Sequence, residues 1–538
     1  MKKALFSFFA IVICQVVFAQ DELLNGHTVV LDNKSKILSW YIPQTTAYST
    51  FLHKRWNFIK TSVPLGPGSA YPQYYFYCAF ILKEGKLIPD KWMNDVGERV
   101  PNWFESARLY YAFTGDIAVM TIAEKLADYS LTHGTSPATF SWPDFPYTTT
   151  NAGDTVFQGF TSAKRFRLHE IQVDHAGEMG LTYYRLYLFT GKEKFKTAAI
   201  KVANTLASKV RTGTATQSVW PYRVVMSTGE VTAEYGANWI GCYSLLDHLV
   251  KANLGKVEAY KTCMEKVKRF LLGYPLKTGY WADGHSDTDI NSNTYKSNLS
   301  ASNFKLYVFD HPEFVSNWKE ELPKLLKWTE DYFVDRTVPG EPSRQWGANI
   351  VGEQDSFLHK MDYQTARYAA ECAQWFSVSG DTTYKEKAFR SFNWVTYCND
   401  SNGLAFESPV SKGVNSWWSD CYGEGPRMFY PAFAAIPEWA PPGEDHILYT
   451  DGILKHVFYR PKKIQYQAVS GNGTDYLRLS FKPKKVTLNN KLLRNIPKKL
   501  SGRSGQIPGY LLQELGNGDY AVTIRRIKSG TVSIVGTP

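Results

Sequence analysis

Asp174 and Glu178 stand one helical turn apart in the stretch from His169 to Gly191, HEIQVDHAGEMGLTYYRLYLFTG, where a polar front precedes an apolar i, i+3, i+4 pattern. That step puts both carboxylates on one face of a helix. Two carboxyl groups suit acid–base work at a carbon–oxygen bond. In glycoside hydrolysis one acid protonates the leaving oxygen while a carboxylate acts from the other side of the ring, roughly 5 to 9.5 Å away. A pair on one helix reaches only the short end of that range. Glu353 and Asp355 in the GEQD loop, and Asp420 and Glu424 in SDCYGEG, are therefore the expected second partners. The commoner role of any single acid in a first helical turn is to offset the helix dipole.

Around these acids lie residues suited to holding a substrate: His175, Glu234, Asn238, Trp239, His285, Tyr363, Arg367 and Trp417. The spacing of His169 and His175 with Asp174 and Glu178 matches no HExxH or two-histidine-one-carboxylate motif, so no catalytic metal and no cofactor is expected. A different chemistry, β-elimination on a uronic acid, would use Asn238 or Arg367 to neutralise the sugar carboxylate and His285, His359 or Tyr363 to move protons. Arg99 and Arg427 sit where a guanidinium could hold a carboxylate, although salt bridges to neighbouring acids are their ordinary role. Trp142, Trp281, Trp346, Trp417 and Trp418 fall in loops, where flat rings either stack on sugar faces or anchor the chain.

The elements that must position these groups repeat. Glu98 lies seventeen residues before Gly115, Asp174 seventeen before Gly191, and Tyr363 seventeen before Gly380; four residues on come Asn102, Glu178 and Arg367. Three agreeing offsets indicate a repeated helical unit. The periodicity predicts helical hairpins over 101–113 with 118–131, 169–191 with 195–210, 234–250 with 257–272, 299–309 with 314–333, and 360–377 with 383–398. A last inner helix starting near Ser419 would pair with an N-terminal helix over 46–62. Residues 20–45 read as an extended lead-in. Beyond Pro437, Pro441, Pro442 and Gly443, period-2 runs such as Tyr476 to Phe481 and Tyr520 to Ile524 predict an antiparallel β module over 446–538. The fold class expected is mainly α, with helical hairpins over 46–440 and this small β domain.

Residues 1–19 have a basic start, an apolar stretch and a Val17-Phe18-Ala19 end, the pattern of a cleaved signal peptide. A periplasmic or secreted protein of a Gram-negative bacterium is expected, with lipidation at Cys14 disfavoured by the Ile before it. No later apolar run reaches the roughly 20 residues that span a bilayer. The six remaining cysteines show no CxxC spacing and read as buried thiols. The net charge is +11, or +9 without Lys2 and Lys3; residues 446–538 carry sixteen Lys and Arg against four Asp and Glu, +12, leaving −3 for residues 20–445. The basicity belongs to the β module, and an exported chain is not expected to meet nucleic acid.

Six helical hairpins with polar inner-helix starts, a signal pattern and a C-terminal β module resemble the (α/α)6-toroid carbohydrate-active enzymes, which include glycoside hydrolases and polysaccharide lyases. A narrower resemblance is to the β-glucuronidase-like toroid enzymes of glycoside hydrolase family 154. The resemblance implies an oligosaccharide or polysaccharide substrate, expected to be acidic, and inner-helix starts that converge on one funnel. The expectation is a secreted glycoside hydrolase on uronic-acid-containing oligosaccharides. The alternatives are a polysaccharide lyase and a non-catalytic glycan-binding protein.

Overall fold

The computed structural model describes residues 23–161, 167–283, 296–334, 346–355, 358–410, 415–496 and 507–537. The three glycines of the repeat all adopt the left-handed conformation, at φ 77, 76 and 75° for Gly115, Gly191 and Gly380. Each caps a helix, as only a residue without Cβ does at no steric cost. The helices are α2 (Val96–Thr114), α4 (Val173–Thr190) and α11 (Asp362–Ser379). The chain reverses at once into their outer partners α3 (Ile117–His133), α5 (Glu193–Lys209) and α12 (Thr382–Val395). Two further hairpins lack a glycine cap on the inner helix: α6 (Ile240–Lys251) with α7 (Val257–Gly273) and the short turn α8 (Pro275–Thr278), and α9 (Asn298–Asp310) with α10 (Trp318–Phe333).

The last inner segment starts with a π turn over Asp420–Glu424 and continues as α13 (Gly425–Arg427) and α14 (Phe429–Ala435). Its outer partner is α1 (Ala47–Thr61), from the other end of the chain. Tyr48 and Phe51 pack on Phe429, and Phe58 on Tyr422, so the two run antiparallel. Neighbour contacts pass from α2 to α4, α6, α9, α11 and the α13–α14 segment and back to α2, closing the ring. Inner and outer helices differ as their composition demands. Every residue of α11 from Asp362 to Trp375 is buried, whereas α7 buries only the stripe Tyr260, Cys263, Val267, Phe270 and Leu271.

Residues 446–536 form two antiparallel sheets. One orders His446–Thr450, Asn472–Leu479, Tyr520–Ile527 and Gly509–Glu514; the other orders Leu454–Arg460, Lys463–Ala468, Gly530–Gly536, Pro483–Leu488 and Lys491–Leu492. The module seats on the C-terminal end of α2. The Val457 N–H donates to the Tyr111 hydroxyl at 3.1 Å, Arg108 donates to the Thr450 carbonyl at 3.0 Å, and His446 Nδ1 lies 2.7 Å from the Phe113 carbonyl. It also reaches α9, where the Tyr449 hydroxyl donates to Asp310 at 2.6 Å. The sheets thus cover the ends of the inner helices opposite their N-termini.

One expected helix start moves. The stretch EYGANW is not helical, because Val231–Ala233 is a strand and α6 begins only at Ile240. The aromatic run near residue 80 resolves into the strand Ala79–Lys83, paired with Asn415–Trp417. Cys78, Cys242, Cys263, Cys372, Cys398 and Cys421 are all buried and free. Among the described residues no helix is long and apolar enough to cross a membrane. The signal pattern over residues 1–19 lies outside the described residues.

Candidate active site

Inner helices that run parallel bring their N-terminal ends to one place, and four stretches distant in sequence meet there. Glu98, in the first turn of α2, has its Oε1 3.3 Å from Nε2 of His175 on α4, whose ring is also 3.8 Å from Asp174 Oδ2. Asp95, just before α2, is hydrogen-bonded to Glu98. Burial raises the Glu98 carboxyl well above the usual carboxylate range, and the charges of Asp95, Asp420 and Glu353 raise it further. Asp420 is likewise pushed well above its ordinary range, first by burial and then by Glu407 and Glu353. Glu407 in turn pairs with His359 at 3.4 Å. Tyr363, at the start of α11, faces the same group: burial, then Glu353, Asp420 and Glu98, raise its phenol well above 10.

A cluster of this kind retains protons on some of its acids near neutral pH while others stay ionised. That is the equipment of a proton donor beside a proton acceptor. Its side chains are not sealed off; Glu98 and Glu407 keep 13% exposure and His359 23%. The π turn is what brings Asp420 in. Pro426 has no N–H to donate and Gly425 closes back five residues to the Asp420 carbonyl, widening the helix there.

Directly beneath the cluster a hydrogen-bonded belt crosses the barrel. Asn238 donates to Asp174 at 3.0 Å and, more loosely, to Glu178 at 3.4 Å. Asn303 of α9 donates to Asn238 at 2.9 Å, and Arg367 of α11 donates to Asn303 at 2.8 Å and Ser302 at 3.2 Å. Arg367 makes a buried ion pair with Glu424, which Arg427 also approaches at 3.3 Å. The belt therefore ties α4, the turn before α6, α9, α11 and the π turn together. Glu178 owes its seat to Gly241, since a Cβ there would stand 2.2 Å from Glu178 Cγ.

The structure brings together most, but not all, of the residues singled out by spacing. Asp174, Glu178, Asn238, Arg367 and Glu424 converge, in the belt rather than in the acid cluster. Glu353, Asp420, His175 and Tyr363 converge in the cluster. Three expectations are corrected. Glu234 turns outward to Arg211 at 2.7 Å, because the chain there is a strand end and not a helix start. Trp239 is fully buried, donating to the Gly236 carbonyl at 2.7 Å and packing on Trp220, and so offers no face to a sugar. Trp142, Trp281 and Trp418 are buried in the core as well. Trp417 stays half-buried against Trp92, three residues before Asp420, and retains its place as a stacking candidate. His285 lies outside the described residues.

Spacing alone did not rank Glu98 among the acids, although it holds the position in α2 that Asp174 holds in α4, and it overlooked Asp95 and Glu407. The offset repeat carried the signal for Glu98. For Asp95 and Glu407 no sequence signal was available. Asp95, Glu98 and His175 also have ligand atoms within 4.8 Å of one another, a set that could hold a cation; the raised Glu98 carboxyl is the other way of lowering the charge there.

No protein-family model matches the chain, and no curated protein matches it in sequence. Solved structures do match in shape. Cellobiose 2-epimerase from Spirochaeta thermophila DSM 6192 superposes with a TM-score of 0.51 at 10% identity, over 72% of this chain and 96% of that one. A D-mannose isomerase superposes with a TM-score of 0.51 at 10% identity, over 74% of this chain and 99% of that one. The structural neighbours are (α/α)6-toroid carbohydrate-active enzymes. At this identity the likeness concerns the fold.

Proposed function

We propose that the protein is a glycoside hydrolase acting on an oligosaccharide at the mouth of the toroid, with Glu98 as proton donor and Glu353 and Asp420 as the opposing carboxylates. One observation carries this reading: Glu98, Glu353 and Asp420, from three remote parts of the chain, share one buried cluster in which Glu98 is held protonated by burial and its neighbours. A raised acid such as Glu98 beside further carboxyl groups is the arrangement that protonation of a glycosidic oxygen requires. Asp174 and Glu178 are assigned to positioning. The Asp174 carboxylate is taken by Asn238 and holds the belt that orients His175.

Electrostatics bear on the substrate. The mouth gathers Asp95, Glu98, Glu353, Glu407 and Asp420, while Arg367 and Arg427 are both committed to Glu424. A uronate at the reacting position would meet like charge. We therefore assign an uncharged sugar to that position, which departs from the β-glucuronidase-like reading. Elimination through Tyr363 is disfavoured too, since its phenol must ionise to act as base and burial, followed by the neighbouring acids, opposes that. Export to the periplasm or beyond accompanies the proposal, on the strength of the signal pattern.

The histidine–carboxylate pairs His175–Glu98 and His359–Glu407 favour one second reading, proton transfer at a sugar carbon, as in epimerisation. Mass analysis of products from a neutral-oligosaccharide screen separates the readings. Gain of water marks hydrolysis, unchanged mass with altered retention marks epimerisation, and an ultraviolet-absorbing unsaturated product marks elimination. Under the proposal Glu98→Gln lowers turnover about 10²- to 10⁴-fold with the melting temperature held. Near-normal turnover in Glu98→Gln rejects the assignment.

A further inference from the structure

Below the belt, on the side away from the mouth, the toroid axis encloses a cavity of about 210 Å³. At about 30 Å³ per water this is space for roughly seven waters, the scale of one sugar ring and far short of a chain. Half its wall is apolar, with Leu109, Leu181, Ile240, Leu306 and Met428. The other half is polar, with Arg108, Arg185 and Arg427 set against Glu105, Glu178 and Asp310. Its rim is made by the exposed Asp310 at the end of α9 and by Tyr449 of the β module, so it opens at the end opposite the acid cluster.

The polar wall has donors to spare. A single carboxylate, Glu105, serves both Arg108 and Arg185; burial would raise it, but Arg108 and then Arg185 outweigh burial and hold it at about 2, fully ionised. One negative charge is thus shared by two guanidiniums. Arg185 gives only its Nη1 to Glu105. Arg427 spends Nη2 on Glu424, and its buried Nε has no partner among the described residues. Gln374 of α11 is 4% exposed and lines the cavity, and its Nε2 also has no partner among the described residues. A buried donor without an acceptor is costly to keep unless something supplies the acceptor. Glu178, at the inner end, is the acid nearest the belt, and burial raises its carboxyl above the ordinary range, which lessens its opposition to an anion.

We propose that this cavity is a second ligand site, separate from the acid cluster, for a small organic acid of about one sugar ring, its carboxylate held by Arg185, Arg427 and Gln374. The apolar half of the wall takes the carbon skeleton, which selects an organic acid over an inorganic anion. The β module then has a part in the site, since Tyr449 completes its rim. The mouth offers carboxyl groups and this chamber unpartnered guanidinium and amide donors, so the two ends of one barrel suit different ligands.

The test is thermal unfolding of the full chain with sodium glucuronate, glucose or inorganic phosphate at matched ionic strength. Glucuronate is expected to raise the melting temperature saturably, whereas any shift with glucose, a ligand of the class assigned to the mouth, should be unchanged by Arg185→Gln. Arg185→Gln should weaken apparent glucuronate affinity by at least about tenfold, the loss of one charge-assisted contact, while Glu98→Gln at the mouth leaves it as in the parent. Gln374→Leu removes an unpartnered donor, so it should fold as well as the parent and still lose affinity; it decides the matter if Arg185→Gln fails to fold. No glucuronate shift, an equal shift with phosphate, a glucose shift that Arg185→Gln abolishes, or a glucuronate shift abolished by Glu98→Gln but kept in Gln374→Leu overturns the proposal. None of these outcomes depends on the assignment of the mouth chemistry.

Discussion

The belt makes a sharp claim about what holds the mouth in shape, and Arg367 is where it is tested. Arg367 and Glu424 are exposed by only 1% and 2%, so Arg367→Met strands a buried carboxylate with Arg427 as its remaining partner at 3.3 Å. Removing one partner of a buried pair costs about 3–5 kcal/mol. The acceptors on Asn303 and Ser302 lose donors too, adding about 1 kcal/mol, for a total of about 4–6 kcal/mol. With an unfolding entropy of about 2.1 cal/mol/K per residue over a helical region of roughly 400 residues, this is a fall of about 5–7 °C in Tm. Glu424→Gln should cost a comparable amount, because it leaves Arg367 buried without a counter-charge. The double variant Arg367→Met, Glu424→Gln leaves neither charge stranded and should recover at least about 2 kcal/mol relative to the sum of the singles. Differential scanning calorimetry on the four proteins measures the cycle. Strictly additive losses, or singles that each shift Tm by less than about 1 °C, would refute the picture of a coupled belt.

Three further outcomes are expected. Asp362 is buried against Arg55 at 2.9 Å, and burial, opposed by Arg55, raises its carboxyl to about 6. The folded state therefore binds that proton more tightly than the unfolded chain, so its contribution to stability falls as pH rises from 4 through 6, by about 3 kcal/mol, and then levels; urea unfolding at pH 4, 5, 6 and 7 should show the decline in the parent and a flatter profile in Asp362→Asn. Gly241→Ala would drive a methyl into Glu178 at 2.2 Å, and should cost about 1–3 kcal/mol by chemical denaturation and displace Glu178 in a crystal structure, whereas the helix-favouring Gly→Ala change would otherwise stabilise. If the raised Glu98 carboxyl suffices to lower the charge at Asp95, Glu98 and His175, millimolar Ca²⁺ or Zn²⁺ should move Tm by less than about 1 °C near neutral pH; a rise of several degrees would assign the triad to a resident cation.

Much of this protein was legible from local physics. A left-handed glycine ends α2, α4 and α11 at the same offset from a polar inner position, so the hairpin repeat, its orientation and the identity of Asp174, Glu178, Tyr363 and Arg367 as inward residues follow from backbone sterics and helical periodicity. Period-2 alternation marked the β module, and buried thiols followed from cysteines embedded in apolar helix faces. Periodicity misled at Glu234 and Trp239 because a strand and a turn held by the Trp239 indole can imitate a helix start over six residues. Only tertiary structure could separate an acid cluster from the belt below it, since which carboxylates share a space depends on how remote helix ends register across the ring. Glu98 owes its raised carboxyl to burial and to Asp95 beside it, and then to Asp420 and Glu353, more than two hundred residues away, and Glu424 loses any freedom to act as an acid by meeting Arg367. The chain's own pattern therefore determined the barrel and which residues face inward; the closing of the ring determined their charges, because electrostatic coupling follows distance in space and not separation along the chain.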